Sequence, residues 1–152
     1  MQPATPEKGC KKQTRILVVE DVTNVATVLK ARLESYGYEI CDMVTSGQKA
    51  IEGTLKWRPD LVLMDIMLEG DMNGIQAATE IQKQINVPII YLSCLSDHKV
   101  MDRAIETNPY GYIVKPYDSA ELRFSIENAL RKHQQDVMRE ARIADLEKTQ
   151  PK

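Results

Sequence analysis

Four short runs of continuous apolar residues constrain the fold of this chain more than any other feature. They occupy residues 16–19, 61–64, 89–92 and 112–114, and no polar residue interrupts any of them. Strands of this length without polar alternation are buried on both faces, which is typical of a parallel sheet covered by helices. Residues 39–44 form a weaker candidate, whose polar interruptions suit an edge strand.

Segments with the spacing of amphipathic helices separate these runs. The first such segment carries its apolar stripe on Val22, Val25, Ala26, Leu29 and Leu33. Residues that cap or stop helices mark the ends of the helical segments: Gly37, Ser46, Pro59, Asn73, Asp97 and Asp118. The pattern predicts an α/β fold of five βα units, with an open parallel sheet and helices on both faces.

Charge and cysteine content narrow the function classes. A formal net charge of −2 provides no basic field for nucleic acid, and no apolar run approaches the roughly 18 residues of a membrane span. The three cysteines, Cys10, Cys41 and Cys94, show no metal-type spacing and no paired framework, which fits a reducing cytosol. We therefore expect a cytoplasmic protein that contacts neither nucleic acid nor membrane through this chain.

The two ends of the chain are more polar than its middle. We expect a disordered leader, a folded domain and a polar helical extension or linker, at residues 1–13, 14–132 and 133–152. Apolar residues continue at helical spacing into the last segment: Ile126, Leu130, Val137, Ala141 and Ala144. A continuous helix that leads to an output domain or pairs in a weak dimer is one prediction. A frayed, solvated tail is the alternative.

A polar side chain of a distinct kind follows each buried run. The residues are Glu20 and Asp21 after 16–19, Asp65 after 61–64, Ser93 after 89–92 and Lys115 after 112–114. Each has an ordinary explanation when taken singly: a helix cap, a turn residue or a surface charge. Their shared position is better explained by a binding site, because ligands of parallel sheets bind at the carboxyl ends of the strands.

These side chains are suited to phosphoryl chemistry. Three neighbouring carboxylates repel one another, and a divalent cation relieves the conflict. Hard oxygen ligands favour Mg²⁺, held by Asp21 and Asp65 with Glu20 behind them. A carboxylate is also a competent nucleophile toward phosphorus and forms an aspartyl phosphate. Lys115 and Ser93 are then expected to contact the phosphoryl oxygens.

At these positions the sequence resembles the receiver domain of two-component response regulators, the CheY-like superfamily, over residues 15–132. The resemblance implies a flavodoxin-like sheet with strand order 2-1-3-4-5. It implies that Asp65 is the phosphoacceptor, phosphorylated in a Mg²⁺-dependent reaction by the phosphohistidine of a sensor histidine kinase or phosphotransfer domain. It also implies that Met67 offers its backbone carbonyl to the metal.

The resemblance extends to the expected switch. Tyr112, three residues before Lys115, matches the family's aromatic switch position, and the bond between Lys115 and Pro116 is a candidate cis peptide. By analogy, phosphorylation changes the surface formed by the fourth helix, fifth strand and fifth helix. That surface would contact an output domain or a second copy of the chain.

The loop after Asp65 departs from the family pattern. Residues 66–74 make it one residue longer than usual, and Glu69 stands where a proline is common. Met67 and Leu95 occupy the positions that flank the attacking water, and neither side chain can orient it. We therefore expect the phosphoryl group to be lost slowly.

Two other functions compete with this interpretation. A phosphohydrolase with an aspartyl nucleophile needs a second Asp two residues after the nucleophile, where this chain has Met67. A receiver-like binding module that is never phosphorylated would not need the complete set of side chains found here. We therefore expect a signalling domain, with self-phosphatase activity at most, rather than an enzyme.

Overall fold

Strands and helices alternate throughout the computed structural model, which describes residues 13–94 and 98–149. The strands within these residues are β1 Arg15–Val19, β2 Glu39–Val44, β3 Leu61–Asp65, β4 Ile89–Ser93 and β5 Gly111–Val114. The helices are α1 Thr23–Ser35, α2 Gly47–Trp57, α3 Gly74–Gln84, α4 His98–Glu106 and α5 Ser119–Thr149. Each predicted strand is present, and the expected leader lies almost entirely outside the described residues.

The five strands form one parallel sheet in the order β2-β1-β3-β4-β5. This confirms the flavodoxin-like fold and the strand order. The register pairs Val19 with Met64, Asp65 with Leu92, and Ser93 with Val114. The carboxyl ends of β1, β3, β4 and β5 therefore meet at one edge of the sheet, together with the residues that follow them.

Two apolar layers bury the sheet between the helices. Leu17 and Val19 of β1 point into the layer beneath α2, α3 and α4, whereas Ile16 and Val18 point into the layer beneath α1 and α5. All residues of β3 and β4 are buried. Burial on both faces explains why these strands are continuous apolar runs in the sequence.

The helix boundaries follow the capping residues. Ser46, Asn73 and Asp118 each accept a hydrogen bond from a backbone N–H in the first turn of their helices, as predicted. Gly37, with φ at +94°, follows the end of α1 in the left-handed region that glycine adopts at little cost. The predicted cap Asp97 lies outside the described residues.

The predicted apolar stripe of α1 is only partly buried. Ala26, Leu29 and Leu33 pack on the sheet, but Val22 and Val25 are 51% and 39% exposed. Val22 precedes the helix, and Val25 is rotated by about 100° from Ala26, away from the sheet. The prediction that these two valines share the buried stripe was wrong, because both are exposed.

Helix α5 continues to Thr149, well beyond the sheet that buries its first half. The Tyr110 hydroxyl donates a hydrogen bond to Asp136, and the His133 ring packs edge-on against the Tyr110 ring at a centroid distance of 5.5 Å. Burial and the neighbouring Asp136 carboxylate raise the pKa of Tyr110 to about 12. These contacts hold the start of the extension against the strand that carries the expected switch residue.

Beyond these contacts the extension is solvated. Apolar side chains such as Val137 and Leu146 are 41% and 61% exposed. Among the described residues, no helix combines the length and hydropathy required of a membrane-spanning segment.

Candidate functional site

The structure gathers the polar residues that follow the buried strands. Glu20, Asp21 and Asp65 each place one carboxylate oxygen within 4.8 Å of the others. Glu20 and Asp65 are buried and Asp21 is half-buried. The cluster arises because β1 and β3 are adjacent and parallel, so their carboxyl ends deliver the acids to one place.

Lys115 neutralises part of this cluster. Its Nζ atom lies 3.1 Å from Glu20 Oε1 and 3.2 Å from Asp65 Oδ2. Burial alone would lower the pKa of Lys115, but the charge of Asp65 and the hydrogen bond to Glu20 outweigh it and raise this pKa. The lysine therefore remains a cation between two carboxylates.

The surroundings of Glu20 disfavour its ionised form. Burial raises the pKa of Glu20, and the neighbouring Asp65 carboxylate raises it further. Lys115 acts in the opposite direction without reversing the shift. The cluster thus retains unfavourable negative charge that a bound cation would relieve.

Each of the three carboxylates also accepts a hydrogen bond from a backbone N–H. The donors to Glu20 and Asp65 lie two residues further along the chain, at 3.2 Å and 3.0 Å. The donor to Asp21 is Glu69, at 3.1 Å, in the loop between β3 and α3. Asp21 does not cap α1, which was its ordinary explanation when taken singly. Val22 occupies the N-cap position of this helix and makes no side-chain cap bond.

The remaining predicted residues surround the cluster. Ser93 is fully buried at the end of β4, and its carbonyl accepts a hydrogen bond from the Lys115 N–H at 2.6 Å. The peptide bond between Lys115 and Pro116 is cis, as expected. The Tyr112 ring packs edge-on against Tyr91 at 6.4 Å. Within the described residues, the buried Tyr112 hydroxyl has no hydrogen-bond partner.

The structure describes one of the two residues that are expected to control loss of phosphate. The Met67 side chain is 53% exposed at the rim of the cluster. Its N–H is the donor to Asp65 Oδ1. Leu95 lies outside the described residues.

Two contributors to the site were missed in the sequence. One is the Glu69 N–H described above, which no sequence pattern indicates. The other is Gly74, where a Cβ atom would stand 2.2 Å from the Asp65 carbonyl oxygen. The sequence did contain a signal for Gly74. Glycine disfavours helix formation, so a glycine directly after the cap Asn73 indicates a requirement other than the helix itself.

The donor set fits a divalent cation of the magnesium type. Three carboxylates offer hard oxygen ligands, and one of them, Asp21, is partly open to solvent, which leaves room for the waters that Mg²⁺ retains. The described part of this cluster contains no sulfur or imidazole ligand. Such a site suits Mg²⁺ better than zinc.

A parallel sheet in the order 2-1-3-4-5 with paired acids, a strand-end aspartate, a hydroxyl and a lysine defines a receiver domain. The chain belongs to the response regulator receiver domain family, whose model matches residues 16–127. This match confirms the resemblance of the sequence to the family.

Relatives and a solved structure agree with this assignment. The chain is 32% identical to the transcriptional regulatory protein PdtaR of Mycobacterium tuberculosis, over 96% of this chain and 71% of that protein. It is 33% identical to the DNA-binding response regulator MtrA of Mycolicibacterium paratuberculosis, over 88% of this chain and 58% of that protein. The chain therefore spans little more than half the length of MtrA.

Among solved structures, the chain is similar to the signal receiver domain of a modulated diguanylate cyclase from Desulfovibrio desulfuricans G20. The sequence identity is 34% and the TM-score 0.78, over 82% of this chain and 99% of the other.

Replacing Gly74 by alanine tests how tightly α3 is packed against the strand end that carries Asp65. The new Cβ would also stand 2.8 Å from Ile66 Cα, so the backbone must shift. We expect Gly74→Ala to lower the free energy of unfolding by about 1–3 kcal/mol, measured by urea denaturation. Gly53→Ala is the matched control, because its Cβ would meet its nearest neighbour at 3.5 Å. Equal stability of the two variants would contradict the close packing.

The raised pKa of Glu20 predicts a pH dependence of cation binding. A proton bound to Glu20 competes with a cation, so the affinity for Mg²⁺ falls as the pH is lowered through the raised pKa of Glu20. Calorimetric titrations in buffers of different ionisation enthalpy should detect protons released on binding. Glu20→Gln should reduce this proton release; an unchanged release would assign the proton to another group.

Proposed function

We propose that this chain is a phosphoacceptor switch in which Asp65 receives a phosphoryl group in a Mg²⁺-dependent reaction. The observation that carries the proposal is the position of Asp65. It is buried at a strand end, 3.2 Å from the Lys115 ammonium and beside two further carboxylates. An acid held at such a site is supported as a nucleophile and is shielded from bulk water.

The local contacts orient the Asp65 carboxylate for attack. The N–H of Met67 contacts Oδ1, and Lys115 contacts Oδ2. An oxygen of Asp65 forms a bond to phosphorus, and the bond between phosphorus and the donor's leaving group breaks. That leaving group departs with its electron pair and takes a proton from solvent, and Lys115 moves onto a phosphoryl oxygen.

A divalent cation would supply positive charge for the phosphoryl oxygens. Asp21 and Asp65 would hold it, with Glu20 behind them and the carbonyl of Met67 as a further ligand. This chain's own contribution is to hold the carboxylates close together. Lys115 offsets the repulsion between Glu20 and Asp65 by contacting both.

Tyr112 and Ser93 are proposed to convert phosphorylation into a change of surface. The Ser93 hydroxyl would move onto a phosphoryl oxygen, and Tyr112 would change its rotamer. An unpaired buried hydroxyl costs about 1–3 kcal/mol, and the Tyr112 hydroxyl is such a group within the described residues. An alternative rotamer with a solvated hydroxyl can therefore lie close in energy, which a switch between two states requires. The affected surface is formed by α4, β5 and α5.

The proposed phosphodonor is a phosphohistidine on a helix of a histidine kinase or phosphotransfer domain. An apolar groove on α1, the helix that follows Asp21 in the chain, supports this partner. It is lined by Asn24, Val25, Val28, Leu29, Arg32 and Tyr117. Val28 is 58% exposed on α1. Exposed apolar side chains next to a reactive site are suited to docking the apolar face of a helix.

The proposed output is another domain or a second copy of the chain, reached through the surface of α4, β5 and α5 or through the α5 extension. Relatives that regulate transcription or bind DNA, and a receiver from a diguanylate cyclase, support an output supplied by other domains. We further propose a cytoplasmic location and no turnover of small phosphate esters. Met67, two residues after Asp65, provides no acid or base.

Asp65→Asn should abolish phosphorylation. Incubation with acetyl phosphate and Mg²⁺ should add one phosphoryl group to the unmodified chain, detected by intact mass, and the adduct should be absent when the metal is chelated. Asp60→Asn is the matched control, because Asp60 lies exposed before the opposite end of β3 and accepts a hydrogen bond from the Arg15 N–H. Labelling of the Asp65→Asn variant at the normal rate would refute the assignment.

Val28→Glu should separate donor docking from chemistry. A charge in the apolar groove should slow transfer from a phosphohistidine protein about tenfold, about 1.4 kcal/mol of barrier. The rate with acetyl phosphate should stay the same, because a small donor needs no docking surface. Val137→Glu, on the exposed extension of α5, serves as control. Equal slowing with both donors would place Val28 in the chemistry or in the stability of the domain instead.

A further inference from the structure

We propose that the backbone N–H of Glu69 is a positioning group for the cation site, holding the Asp21 carboxylate in its binding orientation. Its hydrogen bond to Asp21 Oδ2 is 3.1 Å long and joins residues that are 48 positions apart. The inference rests on the proposed cation site and assigns part of its affinity to the loop between β3 and α3.

Asp21 differs from the other two acids in how it is held. Lys115 contacts Glu20 and Asp65, and within the described residues no ion pair involves Asp21. Asp21 is also the most exposed of the three. A solvated carboxylate without a cationic partner samples several rotamers, unless another contact selects one. The Glu69 N–H is such a contact.

The proposed cation site depends on the loop between β3 and α3, because the N–H group that contacts Asp21 belongs to this loop. The N–H groups bonded to Glu20 and Asp65 lie two residues further along the chain from their acceptors. Their positions are therefore fixed by the strand ends. The N–H of Glu69 reaches Asp21 only when the loop is folded across the carboxyl edge of the sheet. Gly70, with φ at +101°, makes the turn that follows this donor.

Groups behind a metal ligand affect affinity without touching the metal. A hydrogen bond to a carboxylate ligand fixes the ligand's orientation, and its loss commonly weakens metal binding by about 10–100-fold. Here one oxygen of Asp21 is occupied by the Glu69 N–H, which leaves the other for the cation. Movement of the loop would therefore change the affinity for Mg²⁺ without removing any ligand.

Gly70→Ala tests this dependence with a closely matched control. An alanine at this positive φ is strained, although its Cβ meets no atom within 4 Å, so the loop should move. We expect Mg²⁺ binding, measured by calorimetric titration of the full chain, to weaken about tenfold. Gly37→Ala introduces the same backbone strain at φ +94°, also without a neighbour within 4 Å, far from the site in sequence and at the end of α1. Its Mg²⁺ affinity should match that of the unmodified chain.

A second pair of variants removes the donor itself. Glu69→Pro has no N–H, whereas Glu69→Gln keeps the N–H and removes only the side-chain charge. The proline variant should bind Mg²⁺ more weakly than the glutamine variant by about tenfold. Both variants lack the Glu69 charge, so a difference in their Mg²⁺ affinity comes from the backbone of residue 69 and not from the side-chain charge.

The outcomes separate this inference from the cation site on which it rests. If the unmodified chain binds no Mg²⁺, or if Asp21→Asn binds it equally well, the proposed cation site fails. If the site is present but Gly70→Ala and Gly37→Ala bind Mg²⁺ equally, and the proline and glutamine variants also match, the positioning role of Glu69 is wrong. An NMR titration gives an independent readout, since the Glu69 amide proton should shift as Mg²⁺ binds; an unmoved resonance would count against the role.

Discussion

The repulsion among three carboxylates at the carboxyl edge of the sheet is the constraint on which the site depends. Lys115 offsets it for Glu20 and Asp65 through contacts of 3.1 and 3.2 Å. Backbone N–H groups stabilise all three acids. The raised pKa of Glu20, caused by burial and by Asp65, indicates that the compensation is incomplete. The domain thus keeps an arrangement that favours binding of a cation or loss of a charge, and the proposed phosphorylation of Asp65 would alter the same balance.

The rigid part of the domain and the adjustable part are divided between strands and loops. Strands β3 and β4 are entirely buried. Close packing of this core keeps Asp65 and Ser93, at the ends of the two strands, in fixed positions. Asp21 depends on a loop that crosses from β3, and Tyr112 sits on an edge strand with its hydroxyl unpaired within the described residues. Asp65 and Ser93 therefore lie on the rigid strands. Asp21 and Tyr112, which are proposed to respond to loop movement and to phosphorylation, lie outside this rigid part.

The fold and the identity of the site residues could be predicted because both rest on local patterns. Continuous apolar runs indicate buried parallel strands, and parallel strands bring the residues after them to one edge. The prediction for α1 was less successful, since Val22 and Val25 fit the helical period but lie beyond the surface that the sheet covers. Periodicity identifies the apolar face of a helix. How much of that face is buried depends on which elements pack against the helix.

The sequence by itself determined the five βα units, the acids at the strand ends, the caps Ser46, Asn73 and Asp118, and membership of the receiver class. Each of these follows from residues close together in the chain or from the register of adjacent strands. Only the tertiary structure decided which carboxylates Lys115 contacts, that Gly74 must lack a side chain, and that the Glu69 N–H holds Asp21. These contacts join residues that are distant in sequence through loops, and a loop's path is set by packing and backbone hydrogen bonds that leave no periodic signal.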